Sequence, residues 1–165
     1  MTLYKPAIGN RIEDDINGMA DNFDALDFKG ALLQKTADQA ITTSTLTKAT
    51  WDSAVYDEGG FWNVAAPTRL TIPAGASRVR LTFSADFDAT TNRTRVSFYK
   101  NGSDAFVGNA RTDVTAGARN LQVVTPVLSV VQGDYFEAQV FHTHGSNRGL
   151  RGVTTTNFSI EVVES

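Results

Sequence analysis

The run RVRLTFSADFD at 78–88 alternates without a break. Val79, Leu81, Phe83, Ala85 and Phe87 fall on one parity; Arg78, Arg80, Thr82, Ser84, Asp86 and Asp88 fall on the other. Successive side chains of a strand point to opposite faces, so the pattern demands a long β-strand with one buried and one solvated face. Such a strand needs partners on its edges and a second layer over its apolar side. The rest of the chain offers both. Further strands are predicted at 31–35, 45–51, 60–63 (after the turn Asp57-Glu58-Gly59), 69–72 (ended by Pro73), 94–100, 105–110, 135–143 and 157–163. A stretch at 120–131 is bent or broken by Pro126. Asn101-Gly102 reads as a two-residue hairpin turn. Many short strands separated by turn signals predict an all-β antiparallel sandwich.

The first residues follow a different rule. Ile12, Ile16, Met19, Phe23 and Leu26 recur at intervals of 4, 3, 4 and 3, the stripe of an amphipathic helix. Residues 1–27 carry a net charge of −4, whereas the remainder carries +1. The organisation expected is a helical docking or stalk segment at 1–28 and a β-domain at 29–165. A helix of about two heptads is marginal alone. It must pack on its own domain, on copies of itself or on a larger partner. Gly18 inside the stripe lowers its helix propensity further.

At 135–143 both parities are apolar: Phe136, Ala138 and Val140 on one, Tyr135 and Phe141 on the other. A sandwich strand needs only one apolar face. The second face should therefore be covered by a subunit, by the N-terminal helix or by a long loop. At this point the order of motifs becomes informative. YDEGGFW, TRLTIPAG, the long alternating strand, RVSFYKNGS and LSVVQGDYFEAQVFH resemble, in that order, the jelly-roll domain of the complement globular-head and tumour-necrosis-factor superfamily. The lead-in KGALLQKTADQAITTSTLTKATWDSAVYDEGGFW is similar to the versions in phage and phage-like virion proteins. The resemblance covers about residues 30–165. It implies a jelly roll that trimerises about a threefold axis, with aromatics of the penultimate strand at that axis. Tyr135 and Phe141 are the candidates here.

Little points to chemistry. There is no Cys, which excludes a thiol nucleophile, a disulfide framework and a Cys-based metal site and weakly favours assembly in a reducing cytoplasm. No phosphate loop, nucleophile elbow or zinc-helix motif occurs. His142 and His144 would share one face of a strand, as a metal pair does, but no third ligand accompanies them, and a polar pair at a loop edge is the plainer reading. Asp86 and Asp88 read as solvated charge, not as a glycosidase pair. Trp51 and Trp62 read as core or interface residues. No cofactor and no metal are expected. A net charge of −3 gives no general pull toward nucleic acid or anionic membrane. The opening MTLYKPAIGN lacks an apolar core, so no signal peptide is expected, and no apolar run approaches the length of a membrane span.

The candidate ligand surface is the loop HTHGSNRGLRG at 142–152, with His144, Asn147, Arg148 and Arg151, joined by Tyr99 as a sugar-stacking ring. Forked arginine donors suit carboxylates and sulfates, hence an acidic polysaccharide; a mobile loop with solubilising arginines is the competing reading. Taken with the resemblance, the expectation is a homotrimeric head or tail fibre or spike of a phage or phage-like particle, made in the host cytoplasm. Residues 1–28 would dock it to other virion proteins, and its head would bind a host surface glycan or receptor. The alternatives are a capsid decoration or cement protein without a ligand, and a free lectin-like module.

Overall fold

The computed structural model describes residues 28–103, 111–115 and 117–164. The helical segment and its stripe Ile12, Ile16, Met19, Phe23 and Leu26 lie outside the described residues, as does the strand expected at 105–110. Among the described residues the fold is all-β, with thirteen strands in two antiparallel sheets, consistent with a jelly-roll sandwich.

The first sheet is built on the alternating run. The strand β6 (Arg78–Thr91) pairs along one edge with β13 (Asn157–Glu164), beyond which lie β1 (Gly30–Gln34) and β4 (Ser53–Glu58). Past the end of β13, β12 (Arg148–Leu150) joins β6 to β2 (Gln39–Ile41). The strands β9 (Ala118–Val124) and β10 (Leu128–Ser129) also pair with β6, and Pro126 falls in the gap between them. A proline cannot donate to the ladder, so the break follows from chemistry. The second sheet centres on β11 (Tyr135–His142), flanked by β7 (Thr94–Lys100) and then β8 (Arg111–Val114) on one side, and by β3 (Thr47–Lys48) and β5 (Arg69–Thr71) on the other.

The core lies between the sheets. Phe83 and Phe158 from the first meet Phe98 from the second, with Trp51 inserted beside them: ring centroids are 5.5 to 6.3 Å apart, in tilted and edge-on arrangements. These rings are essentially inaccessible. Such aromatic pairs contribute about 0.5–1.5 kcal/mol each beyond the area they bury.

Two motifs distant in sequence close one end of the second sheet. Asn101 (φ 52°) and Gly102 (φ 78°) form the two-residue turn, with Lys100 and Ser103 exchanging backbone hydrogen bonds. The Asn101 Nδ2 donates to Asp134 Oδ1 at 2.8 Å, and the Tyr135 amide donates to Asn101 Oδ1 at 2.9 Å. Lys100 Nζ lies 2.7 Å from Asp134 Oδ2, which also accepts from the Val131 amide. Burial pushes the Asp134 carboxyl up, but the donors from Lys100, Asn101 and Val131 outweigh it and hold the group below the ordinary carboxylate range.

Several expectations need correction. The strand expected at 60–63 is a turn followed by a single bridge, Trp62 to Leu70. The Asp57 carboxylate accepts from the amides of Phe61 and Trp62 at 2.8 and 3.0 Å, which curls the chain after Gly59-Gly60. The preceding SAVYDE forms β4 instead. The strand expected at 45–51 shrinks to β3, and Trp51 leaves the ladder to enter the core. Trp62 is only half-buried.

Candidate functional site

Three groupings of polar side chains are candidates for a functional site. The first is the loop after β11. His142 ends the inward parity of Phe136, Ala138 and Val140, so its ring sits in the core at 0% exposure, edge-on to Phe87. Its Nδ1 accepts from the His144 amide, so Nε2 carries the proton and donates to the Ile41 carbonyl at 3.0 Å. The strand stops there, and His144 turns away to accept a hydrogen bond from the Arg148 guanidinium. The two rings therefore do not face one metal position, and His142 is a core residue, not a loop-edge one. No group of three or more His, Cys, Asp or Glu with metal-binding spacing occurs among the described residues. Of the predicted loop ligands, Asn147 is exposed, Arg148 is engaged with His144 and Arg151 with a carboxylate.

That carboxylate forms the second grouping. Asp86 lies on the outer parity of β6 but is 5% exposed, so it is not solvated charge. Its Oδ1 accepts from Arg119 Nε at 3.2 Å; its Oδ2 accepts from Arg151 Nη1 at 3.2 Å and Thr155 Oγ1 at 3.1 Å. The 151–156 loop folds over β6 and makes this corner. Asp88 remains exposed. A shallow cavity of about 450 Å³ opens beside Asp86, lined by hydroxyl and amide side chains including Ser84, Gln122 and Asn157.

The third grouping is the outer face of the second sheet, where sequence reasoning named Tyr99, Tyr135 and Phe141 but missed their neighbours. Strand register lays out the face in rows: Arg69, Glu137 and Tyr99; Lys48, Gln139, Ser97 and Arg111; Phe141, Arg95 and Asp113. Tyr135 and Phe141 are half-buried. The Arg69 guanidinium lies 4.9 Å over the Tyr135 ring; those of Arg95 and Arg93 lie 5.4 and 6.0 Å over Phe141. Glu137, 3% exposed, takes Lys48 Nζ at 2.7 Å and the Thr68 hydroxyl on Oε1. Arg93 grips Asp113 with two donors at 3.0 and 2.7 Å, which holds that carboxyl below its ordinary range. Arg69, Arg95 and Arg111 form no ion pair among the described residues. The buried Nε atoms of Arg69 and Arg95, Glu137 Oε2 and Ser97 Oγ have no hydrogen-bond partner among the described residues. Tyr99 thus belongs to this face, away from the 142–152 loop. The signal was present: parity against Leu70, Val96 and Val140 assigns Arg69, Arg95 and Gln139 outward.

A second cavity, about 480 Å³, opens beside this face between Trp62, Asn63 and Arg69.

No family model matches the chain, and no curated protein matches it in sequence. Solved structures do match in fold. Murine APRIL at pH 8.0 superposes with a TM-score of 0.59 at 13% identity, covering 83% of this chain and 100% of that one. The globular domain of the zebrafish complement 1qA protein superposes with a TM-score of 0.52 at 11% identity, covering 83% of this chain and 98% of that one. At such identities the likeness establishes the fold alone, a jelly-roll sandwich shared with these two domains.

Proposed function

We propose that the chain is a non-enzymatic structural and attachment protein: a homotrimeric head or tail fibre or spike of a phage or phage-like particle. In this reading residues 1–28 dock to other virion proteins and the jelly roll is the head that meets a host surface glycan or receptor. The observation that carries the reading is the jelly roll of complement globular-head type, preceded by an acidic segment with an apolar stripe. Such a stripe needs a partner, and a head of this fold resembles domains expected to self-associate.

The packing favours one face for that association. Burying Tyr135 and Phe141 between subunits would also desolvate Arg69, Arg93 and Arg95, which is costly without new partners. The outer face of the first sheet offers a row without charge. One register row across it reads Val124, Thr82, Ser159, Leu32 and Tyr56, and the Phe28 ring stacks edge-on to Tyr56 at 5.7 Å. Phe28 is 51% and Val124 49% exposed. We place the trimer interface there.

Solution mass by light scattering tests both parts. The full chain and residues 29–165 should each be trimers. Leu32→Asp with Val124→Asp should give monomers, whereas Phe141→Asp, whose carboxylate would sit beside Arg93 and Arg95, should leave the mass unchanged. The reverse outcome would return the interface to Tyr135 and Phe141, and monomeric wild-type protein would remove the trimeric fibre altogether. A glycan array with no ligand would favour a cement protein.

A further inference from the structure

We propose that the outer face of the second sheet is a binding surface for an acidic polysaccharide, held by Arg69, Arg95 and Arg111; the inference rests on the attachment reading and names its ligand class and site. Among the described residues five cations, Lys48, Arg69, Arg93, Arg95 and Arg111, stand on or beside this face against two carboxylates, Glu137 and Asp113. Lys48 and Arg93 are spent on those carboxylates. The surplus is +3, in a chain whose net charge is −3. The face is therefore a concentrated positive region on an acidic protein.

The geometry selects an extended polyanion over a small ion. The three unpaired arginines occupy three different rows, opposite residues 137, 139 and 141 of β11, and three different strands. At about 3.3 Å per residue the outer rows are roughly 13 Å apart, too far for one phosphate or sulfate to bridge. A chain with a carboxylate or sulfate on successive sugars meets them in turn. The arginines are also preorganised. Arg69 and Arg95 lie over the Tyr135 and Phe141 rings at 4.9 and 5.4 Å, a contact that restricts them and lowers the ordering cost of binding.

Single-stranded nucleic acid is the weaker fit, because it needs aromatic rings open for base stacking. Here the Tyr135 and Phe141 rings are already under guanidinium groups. The shallow surface, with the cavity at Trp62 and Arg69 beside it, suits pyranose rings laid edge to edge.

The test is calorimetric titration of the full chain with polygalacturonate, dextran sulfate, uncharged dextran and oligo(dT), with solution mass measured on the same samples. Binding to both acidic polymers is expected, weakening steeply with salt, with none to dextran. Arg69→Gln combined with Arg95→Gln should weaken it by about tenfold or more. Arg78→Gln with Arg80→Gln, on the other sheet, should leave it unchanged, as should Arg148→Gln; unfolding midpoints confirm that the variants fold. Equal losses in all variants would mean diffuse electrostatics and overturn the assignment. So would tighter binding of oligo(dT), or absence of polymer binding. If residues 29–165 bind the polymers and the full chain does not, the acidic N-terminal segment occupies the face and the polysaccharide inference falls. A trimer that binds no polymer removes this inference alone; a monomer that binds removes the trimeric fibre alone.

Discussion

Asp134 and Asp86 show how two carboxylates with similar surroundings in sequence acquire different roles. Asp134 ties the Asn101-Gly102 turn to the start of β11 and is held below its ordinary pKa of 3.8. A depressed carboxylate contributes stability that is present above 3.8 and is lost as pH falls through its lower folded value. Asp134→Asn should therefore cost about 1–3 kcal/mol at neutral pH. The gap between wild type and variant should close as urea unfolding is repeated at falling pH below 3.8; a gap independent of pH would mean that the charge is not what matters. Asp86→Asn removes the partner of Arg119 and Arg151, but their side chains are 45% and 36% exposed and can resolvate. The cost should be near the lower end, about 1 kcal/mol. Asp88→Asn, on the exposed next position of the same parity, should stay within about 0.5 kcal/mol by chemical denaturation. Sequence could not separate these two aspartates, because what buries Asp86 is the loop 151–156, some 65 residues away. It could have separated His142 from His144: inward parity runs through Phe136, Ala138 and Val140 to His142, and only the end of the strand was hidden.

At the scale of elements, legibility followed length. The strand β6 was readable over 78–88, where eleven residues alternate and leave no other period open; its last three residues, to Thr91, carry no such pattern. The strands β2 and β12, three residues each, carry too little pattern, and β12 contains Gly149 in what reads as a loop. They exist because they pair with each other and extend the first sheet. The misplaced strand at 60–63 shows a local hydrogen bond overriding propensity: Asp57 takes two amides that a ladder would need. Of the functional surface, Tyr99, Tyr135 and Phe141 were found as isolated candidates, while the arginines that unite them became visible only when register set the rows side by side. One tight approach gives an element-level prediction. A methyl on Gly30 would lie 2.5 Å from the Ile160 carbonyl oxygen and 2.8 Å from the Phe28 ring. The carbonyl belongs to the β1–β13 ladder and cannot yield, so Gly30→Ala should destabilise by about 1–3 kcal/mol, measured by thermal unfolding.

For the whole molecule, charge is divided among surfaces that differ in task. The positive face lies on the second sheet, the apolar row on the first, and the acidic surplus in residues 1–27. A head that associated through the first sheet would keep the second turned outward in each copy, which is why solution mass and polymer binding can fail separately. The pairing of β1 with β13 adds a mechanical consequence. Gly30 stands opposite Glu161, and Gln34 opposite Asn157, so the start of β1 and the end of β13 leave the sheet at the same end. Tension between residues before Gly30 and the far loops, as on a tethered head gripping a surface, loads the ladders of β1 with both β13 and β4 in shear, with five paired positions on each side bearing the load together. Tension between the two chain ends would instead unzip β1 from β13 one bond at a time. The same domain should be mechanically strong when pulled by what it holds and weak when pulled by its own termini.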